Sequence, residues 1–185
     1  MTKKILFLIL TTSLLSFSSD NETVEFNYPK NKEATLIMKT DQFKSFDKEW
    51  RGEDYYYLSK SSKDDIICSV LFYKLNKEEQ KHMVDPFDPK DHTTSPIIPL
   101  TYFLNGNLKK YEKNNDMWGE PTDDFMFRQN DITDFEGIKT KQKHMYAYGM
   151  FGQDIFINVH LSKINYTAKD SITMREILSN LKKKK

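Results

Sequence analysis

The stretch DIFINVHLSK, residues 154–163, decides the fold of this chain because its apolar residues stand two apart. Alternation with a period of two is typical of a β-strand, whose successive side chains point to opposite faces. One face of this strand is wholly apolar, with Ile155, Ile157, Val159 and Leu161. The reverse face is mixed, with Phe156, Asn158, His160 and Ser162. A strand of this kind needs neighbouring strands beside it and a cover over its apolar face.

The residues before this stretch predict those neighbouring strands. A strand begins at 125–129, and a turn follows at Glu136-Gly137. Residues 138–148 then alternate, with lysines at 139, 141 and 143 on one face. A second turn at Phe151-Gly152 leads into the stretch 154–163. We therefore expect an antiparallel meander with one dry face.

The residues after the stretch predict a helix that covers this dry face. Thr167 and Asp170 form a capping-box-like pair at its start. One apolar stripe follows at helical spacing, with Met174, Ile177, Leu178 and Leu181. The closing run Lys182–Lys185 is interpreted as a solvated helix end that complements the helix dipole.

The first half of the mature chain predicts strands at 23–28, 34–39, 55–59 and 65–75, with a helical turn at 41–50 and a short helix at 76–83. The turn-like stretch 59–65 makes a hairpin of the third and fourth strands. Both faces of 65–75 are largely apolar, which indicates a central strand and makes Cys68 an inert core thiol. The combined prediction is a single α+β domain over residues 19–185, an antiparallel sheet meander covered by helices in an α-β-α sandwich.

The N-terminal residues 1–18 predict a signal peptide. Two lysines precede the apolar run Ile5–Leu15, which is too short to span a bilayer, and small residues follow up to Ser18. We expect cleavage after Ser18 and export to the periplasm or the cell exterior, with no stable membrane span afterwards. Removing Lys3 and Lys4 from the 28 basic residues leaves 26 against 27 acidic ones. This balance argues against a nucleic-acid partner, and the single cysteine excludes an internal disulfide.

The segment HMVDPFDPKDH, residues 82–92, carries the atoms that a metal site would need. The candidate ligands are His82, Asp85, Asp88, Asp91 and His92. Their spacing matches neither HExxH nor an EF-hand, and Asp-Pro pairs are ordinary turn formers. We interpret the segment as a polar loop and expect no cofactor, while zinc or calcium binding stays open as the alternative.

Other candidate functional residues are few. His144 and His160 lie on adjacent predicted strands and are interpreted as a partly buried, hydrogen-bonded pair. The sequence has no GxSxG elbow and no glycine-rich phosphate loop. Long polar loops are predicted at 84–99 and 114–124, while 100–111 is either a hairpin or a helix. Trp118 is the candidate anchor for a partner protein, and the alternative is that its ring packs back onto the domain.

The C-terminal strand and helix, INVHLSKINYTAKDSITMREILSNL at 157–181, and FNYP at 26–29 resemble the corresponding parts of PsbP-like domains. The resemblance implies an exported or lumenal α-β-α sandwich around an antiparallel sheet, whose members mostly bind other proteins. It implies no catalytic residues. The expected function is an exported, non-enzymatic protein-binding module. The alternatives are an immunity or inhibitor protein against a secreted toxin, and a metal-dependent hydrolase that uses 82–92.

Overall fold

The computed structural model describes residues 22–81 and 116–184, and only the backbone of Lys81 and Asp116. These residues form ten strands and two helices. The strands are β1 Thr23–Tyr28, β2 Asn31–Lys39, β3 Asp47–Arg51, β4 Asp54–Lys60, β5 Ile67–Lys74, β6 Asp116–Met117, β7 Phe125–Phe135, β8 Ile138–Phe151, β9 Ile155–Ile164 and β10 Lys182–Lys183. The helices are α1 Lys77–Lys81 and α2 Ala168–Ser179. Within the described ranges, neither helix has the length and apolar character that crossing a membrane requires.

The strands form two separate antiparallel sheets. The small sheet has the order β1-β2-β10, and the large sheet has the order β3-β4-β5-β9-β8-β7-β6. The predicted meander of β7, β8 and β9 is confirmed, as is the hairpin of β4 and β5. The prediction of a central position for β5 is also confirmed, because β5 pairs with both β4 and β9. Its reverse face is only partly covered, since Ile67 is 42% exposed.

The main core lies between the two sheets. The apolar face of β9 is fully buried there, as the alternation predicts. Its cover comes from two sources: β1 and β2 of the small sheet, and the helix α2, which contacts β2, β8 and β9. The buried side chains of this cover are Phe26, Tyr28, Ala34, Leu36 and Met38 from the small sheet, and Met174, Ile177 and Leu178 from α2.

The predicted α+β class is wrong, because the fold is mainly β with two sheets rather than a sheet sandwiched by helices. The physical reason is the limited reach of α2. A helix of 12 residues is only about 18 Å long, too short to cover a seven-stranded sheet. The small sheet covers the rest of the dry face. The sequence identifies β1 and β2 as strands, but their membership of a second sheet depends on long-range pairing.

Two local predictions also differ from the structure. Residues 41–50 do not form a helical turn, because 47–51 pair with β4 as the edge strand β3. The closing lysines are not a helix end, since α2 stops at Ser179 and Lys182 and Lys183 pair with β2. The capping box of α2 is confirmed, with the Thr167 hydroxyl accepting from the Asp170 N–H and the Asp170 carboxylate accepting from the Thr167 N–H.

A candidate binding groove beside the first strand

Strand β1 forms the outer edge of the small sheet, and its odd-numbered residues direct their backbone groups away from β2. In an antiparallel pair, backbone groups point alternately toward and away from the partner strand. The Glu22 carbonyl accepts from the Thr40 N–H at 3.0 Å, so the even-numbered residues face the β2 side. The backbone groups of Asn27 point the other way, away from β2, because its N–H and carbonyl both bond to the Tyr57 hydroxyl of the large sheet.

Strand β2 shows the same alternation from its other edge. The Thr35 carbonyl accepts from the Lys184 N–H at 2.8 Å, on the side of β2 away from β1. Asn27, the residue opposite Thr35, therefore has no ladder bond to β2. The backbone groups of Glu25 and Thr23, two and four residues before Asn27, also point away from β2. Among residues 22–81 and 116–184, nothing hydrogen-bonds to the outward backbone groups of Thr23 and Glu25.

A groove of about 390 Å³ lies beside this open edge. One wall is β1 itself from Glu22 to Phe26, and the other is the segment Phe43–Phe46 with Lys48. Aromatic rings line the space between the walls, with Phe46 4.8 Å and Tyr57 5.1 Å from Phe26 between ring centroids. We call this space the β1 groove. At one side of it lie the outward backbone groups of Thr23 and Glu25, to which no described residue bonds, and an apolar floor lies beneath them.

The Tyr57 side chain closes one end of the β1 groove. Its hydroxyl donates to the Asn27 carbonyl at 2.7 Å and accepts from the Asn27 N–H at 3.0 Å. The hydroxyl thereby occupies the place that a backbone amide of an added strand would take at Asn27. Burial raises the pKa of Tyr57, while its hydrogen bond to Asn27 acts in the opposite direction. The phenol stays protonated at neutral pH and keeps both roles.

Charged side chains line both walls of the β1 groove. Glu25 lies opposite Lys184, whose Nζ is 2.9 Å from both carboxylate oxygens, so its charge is balanced. Lys48 places its Nζ 5.7 Å from the centre of the Tyr57 ring. Neither Lys48 nor Lys44 forms an ion pair with a residue in the described part of the chain. Of the two acids that line the groove, Glu22 at the far end forms no ion pair with a described residue.

Only some of the site residues predicted from the sequence lie within the described part of the chain. The metal-ligand candidates His82, Asp85, Asp88, Asp91 and His92 lie outside the described residues. Within 22–81 and 116–184, no three His, Cys, Asp or Glu side chains are grouped as a metal site would require. Metal binding by 82–92, and a hydrolase activity that depends on it, stay predictions.

Trp118 is half-buried and packs against the domain. Its ring lies 4.8 Å from the Phe127 ring, and the Arg175 guanidinium lies 5.9 Å from the Trp118 ring centre. The Trp118 indole N–H is buried and has no hydrogen-bond partner among the described residues. Packing of this kind favours the alternative that the ring turns back onto the domain. The role of Trp118 as a partner anchor stays a prediction.

His144 and His160 form the predicted hydrogen-bonded pair across β8 and β9. Their Nδ1 and Nε2 atoms are 2.8 Å apart, and Tyr146 stacks on His160 with ring centres 4.5 Å apart. Burial lowers the pKa of His160 to about 3, with the neighbouring His144 as a smaller cause. A pair that stays neutral and is packed against tyrosine is typical of structural histidines. Cys68 is fully buried, as predicted, and burial raises the pKa of its thiol.

The β1 groove was not predicted from the sequence. Phe43 and Phe46 stand three residues apart, which indicates one face of a helix. In the structure the same two residues are neighbours in a non-helical segment, with ring centroids 5.5 Å apart. No sequence signal marks the groove, because the pairing of β1 with a single neighbour in a small sheet is a property of the folded sheet.

Comparisons with known proteins identify no family for this chain. No family model matches it, and no curated protein matches it. A solved structure from Bacteroides thetaiotaomicron VPI-5482 is similar at 12% sequence identity and a TM-score of 0.46. The match covers 90% of this chain and 49% of that one, so this chain spans about half the length of the matched protein. This similarity is too low to carry an argument, and the resemblance to PsbP-like domains stays a prediction.

Proposed function

We propose that this chain is an exported, non-enzymatic binding protein that takes up an extended segment of another protein as an added strand on β1. The observation that carries the proposal is the edge of β1 at Thr23 and Glu25, which no other described strand pairs with and which lies directly beside an aromatic groove. An unpaired strand edge is a template for another strand, and main-chain hydrogen bonds supply much of the affinity in this mode of recognition.

Natural proteins usually protect such an edge, which is why its state here supports a binding role. Common protections are charged side chains pointing inward, proline, bulges, or a covering helix or loop. Every residue of β3, the edge strand of the large sheet, lies at the surface, and four of its five residues are charged: Asp47, Lys48, Glu49 and Arg51. In β1 the inward-facing residues are instead Val24, Phe26 and Tyr28. The irregularity in β1 lies after Asn27, beyond the open part of the edge.

The place of action follows from the N-terminal residues. Residues 1–18 predict a signal peptide, so the proposed site of action is the periplasm or the cell exterior. An extended segment outside the cytoplasm is then the proposed partner.

The substitution Glu25→Pro tests this function directly. Proline removes the outward N–H of residue 25, which forms no ladder bond, and proline is tolerated on a strand edge whose N–H faces outward. Purified protein is used to select binders from a phage-displayed library of random 12-residue peptides, and the selected peptides are synthesised. We expect Glu25→Pro to weaken their binding at least tenfold while thermal unfolding shows that the fold is retained.

The matched control is Lys184→Ala. Glu25→Pro also removes the ion pair between Glu25 and Lys184, and Lys184→Ala removes that pair without changing the amides of β1. The control should bind the selected peptides as the unsubstituted protein does. Peptides whose binding is unchanged by Glu25→Pro, or weakened equally by both substitutions, would contradict strand addition at β1.

A further inference from the structure

If β1 takes up an added strand, as proposed above, the charges of the β1 groove limit which side chains that strand can carry. The wall opposite β1 carries Lys44 and Lys48, neither of which has an ion pair with a described residue. On the β1 wall, Glu25 is already balanced by Lys184. The remaining acid, Glu22, stands at one end. Counting only ion pairs among the described residues, the groove has two unpaired lysines along one wall and one unpaired acid at its end.

The floor of the groove is apolar. Phe26 and Phe43 are fully buried beneath it, and Phe46 and Tyr57 meet Phe26 edge to face. The apolar side chains that an occupant can reach are Phe46 and Val24, which are only partly buried. Aromatic rings in this arrangement favour contact with an apolar side chain. An occupant must therefore satisfy two demands together: an apolar contact with the rings and a negative charge near the lysines.

The geometry of an added strand sets the spacing of these two groups. Side chains on one face of a strand stand two residues apart, about 6.8 Å along the chain. Those of an added strand on its inward face would lie over the rings and beside Lys48, whose own residue pairs with Tyr57 across β3 and β4. Those on the outward face would lie beside Thr23, Glu25 and Asn27 in solvent. The inward face alone meets both the floor and the lysines.

From this arrangement we propose that the segment bound at β1 is an extended, acidic stretch of another protein in which an apolar residue and an Asp or Glu stand two residues apart. The apolar side chain contacts Phe46 and Val24, and the carboxylate pairs with Lys44 or Lys48. The main-chain groups of the segment bond to Thr23 and Glu25. Tyr57 marks where the added strand ends.

Two synthetic peptide pools test this pattern. Both pools are eight-residue peptides with Thr at every outward position. In the acidic pool the inward positions alternate Leu and Glu, and in the basic pool they alternate Leu and Lys. Fluorescence anisotropy gives the affinity of each pool for the unsubstituted protein, for the double substitution Lys44→Glu with Lys48→Glu, and for Glu25→Pro.

We expect the acidic pool to bind the unsubstituted protein at least tenfold more tightly than the basic pool, and the double charge reversal to invert this preference. The preference should weaken as salt rises, because both lysines are exposed to solvent. Equal affinity for the two pools, with both weakened by Glu25→Pro, would overturn the acidic pattern and leave strand addition standing. Affinities that are the same for Glu25→Pro as for the unsubstituted protein would overturn strand addition itself.

A second copy of this chain is the other occupant that the experiment must distinguish. Sedimentation equilibrium of the unsubstituted protein and of Glu25→Pro decides this point. We expect both to have the same oligomeric state. An association that is present in the unsubstituted protein and lost in Glu25→Pro would show that a second copy fills the groove, and would overturn the proposal.

Discussion

The hydroxyl of Tyr57 joins the two sheets, and its removal by Tyr57→Phe tests how the edge of β1 is held. The Tyr57 ring packs against Phe26 and Phe72, with centroids 5.1 and 6.2 Å away, and phenylalanine keeps this packing. The substitution removes only the two hydrogen bonds to the backbone of Asn27. The result therefore isolates the contribution of the hydroxyl.

The expected loss of stability follows from these two bonds. Each net hydrogen bond contributes about 0.5–1.5 kcal/mol, and the freed groups of Asn27 lie at a partly solvated edge where water can replace the hydroxyl. We expect Tyr57→Phe to lower the free energy of unfolding by about 2 kcal/mol. For a domain of this size, that corresponds to a fall in Tm of about 4–8 °C. Urea unfolding followed by circular dichroism measures the difference.

Tyr55→Phe is the matched control. Tyr55 lies on the same strand and face, 5.1 Å from Tyr57 between ring centroids, and its hydroxyl bonds to nothing in the described part of the chain. Its loss should change the free energy of unfolding by less than about 0.5 kcal/mol. If the two substitutions have the same effect, the Tyr57 bridge contributes nothing and the proposed end of the open edge is wrong.

Three further predictions concern the interior. Burial lowers the pKa of His160 to about 3, so the unfolded chain, with a value near 6.5, binds this proton more tightly than the folded state. His160 therefore leaves stability unaffected above pH 6.5 and lowers it below that pH, by about 2 kcal/mol at pH 5. Burial also lowers the pKa of His144, so His160→Gln should reduce the acid slope in urea unfolding without abolishing it. Gly149→Ala should cost about 1–3 kcal/mol in the same assay, because its Cβ would stand 2.8 Å from the Asp124 carbonyl oxygen. Cys68 is fully buried, and burial raises its thiol pKa, so a thiol-reactive dye should label it only after unfolding.

Each of these three expectations has a clear contrary result. An unchanged slope between pH 6.5 and 5 in His160→Gln would assign the acid sensitivity to other groups. Full stability in Gly149→Ala would mean that β8 and the Asp124–Phe125 segment do not approach as closely as described. Labelling of Cys68 in the native protein at the rate of the unfolded chain would contradict its burial.

The C-terminal third of the fold could be predicted because its signals are local. The alternation of β9 and the capping box of α2 depend on residues close together in sequence. The structure confirms both, with Val159 and Met174 fully buried on the faces expected of them.

The class of the fold could not be predicted in the same way. TVEFNY at 23–28 reads equally well as a strand of the large sheet or of a separate one. Two pairings define the small sheet as separate from the large one. One is the register of β1 with β2, and the other is the pairing of Lys182 and Lys183 with the far edge of β2. Those contacts join residues far apart in sequence. The error about helical cover follows from this missing long-range information.

The β1 groove was beyond prediction for a related reason. Whether a strand lies at an edge is a property of the sheet, since the same sequence of β1 would be paired on both sides in a larger sheet. Phe43 and Phe46 likewise gain their positions from the pairing of β3 with β4. The lysines at 44 and 48 look like ordinary surface charges until these pairings place them opposite β1.

Residue-resolved amide hydrogen exchange of the free protein tests the open edge of β1 most directly. An open edge predicts alternation: slow exchange at Val24 and Phe26, whose amides bond to β2, and fast exchange at Glu25, whose amide faces the groove. The Asn27 amide should be protected by Tyr57 in the unsubstituted protein and should lose that protection in Tyr57→Phe. Uniform slow exchange from Val24 through Asn27 would show that the edge is already occupied and that β1 cannot take up an added strand there.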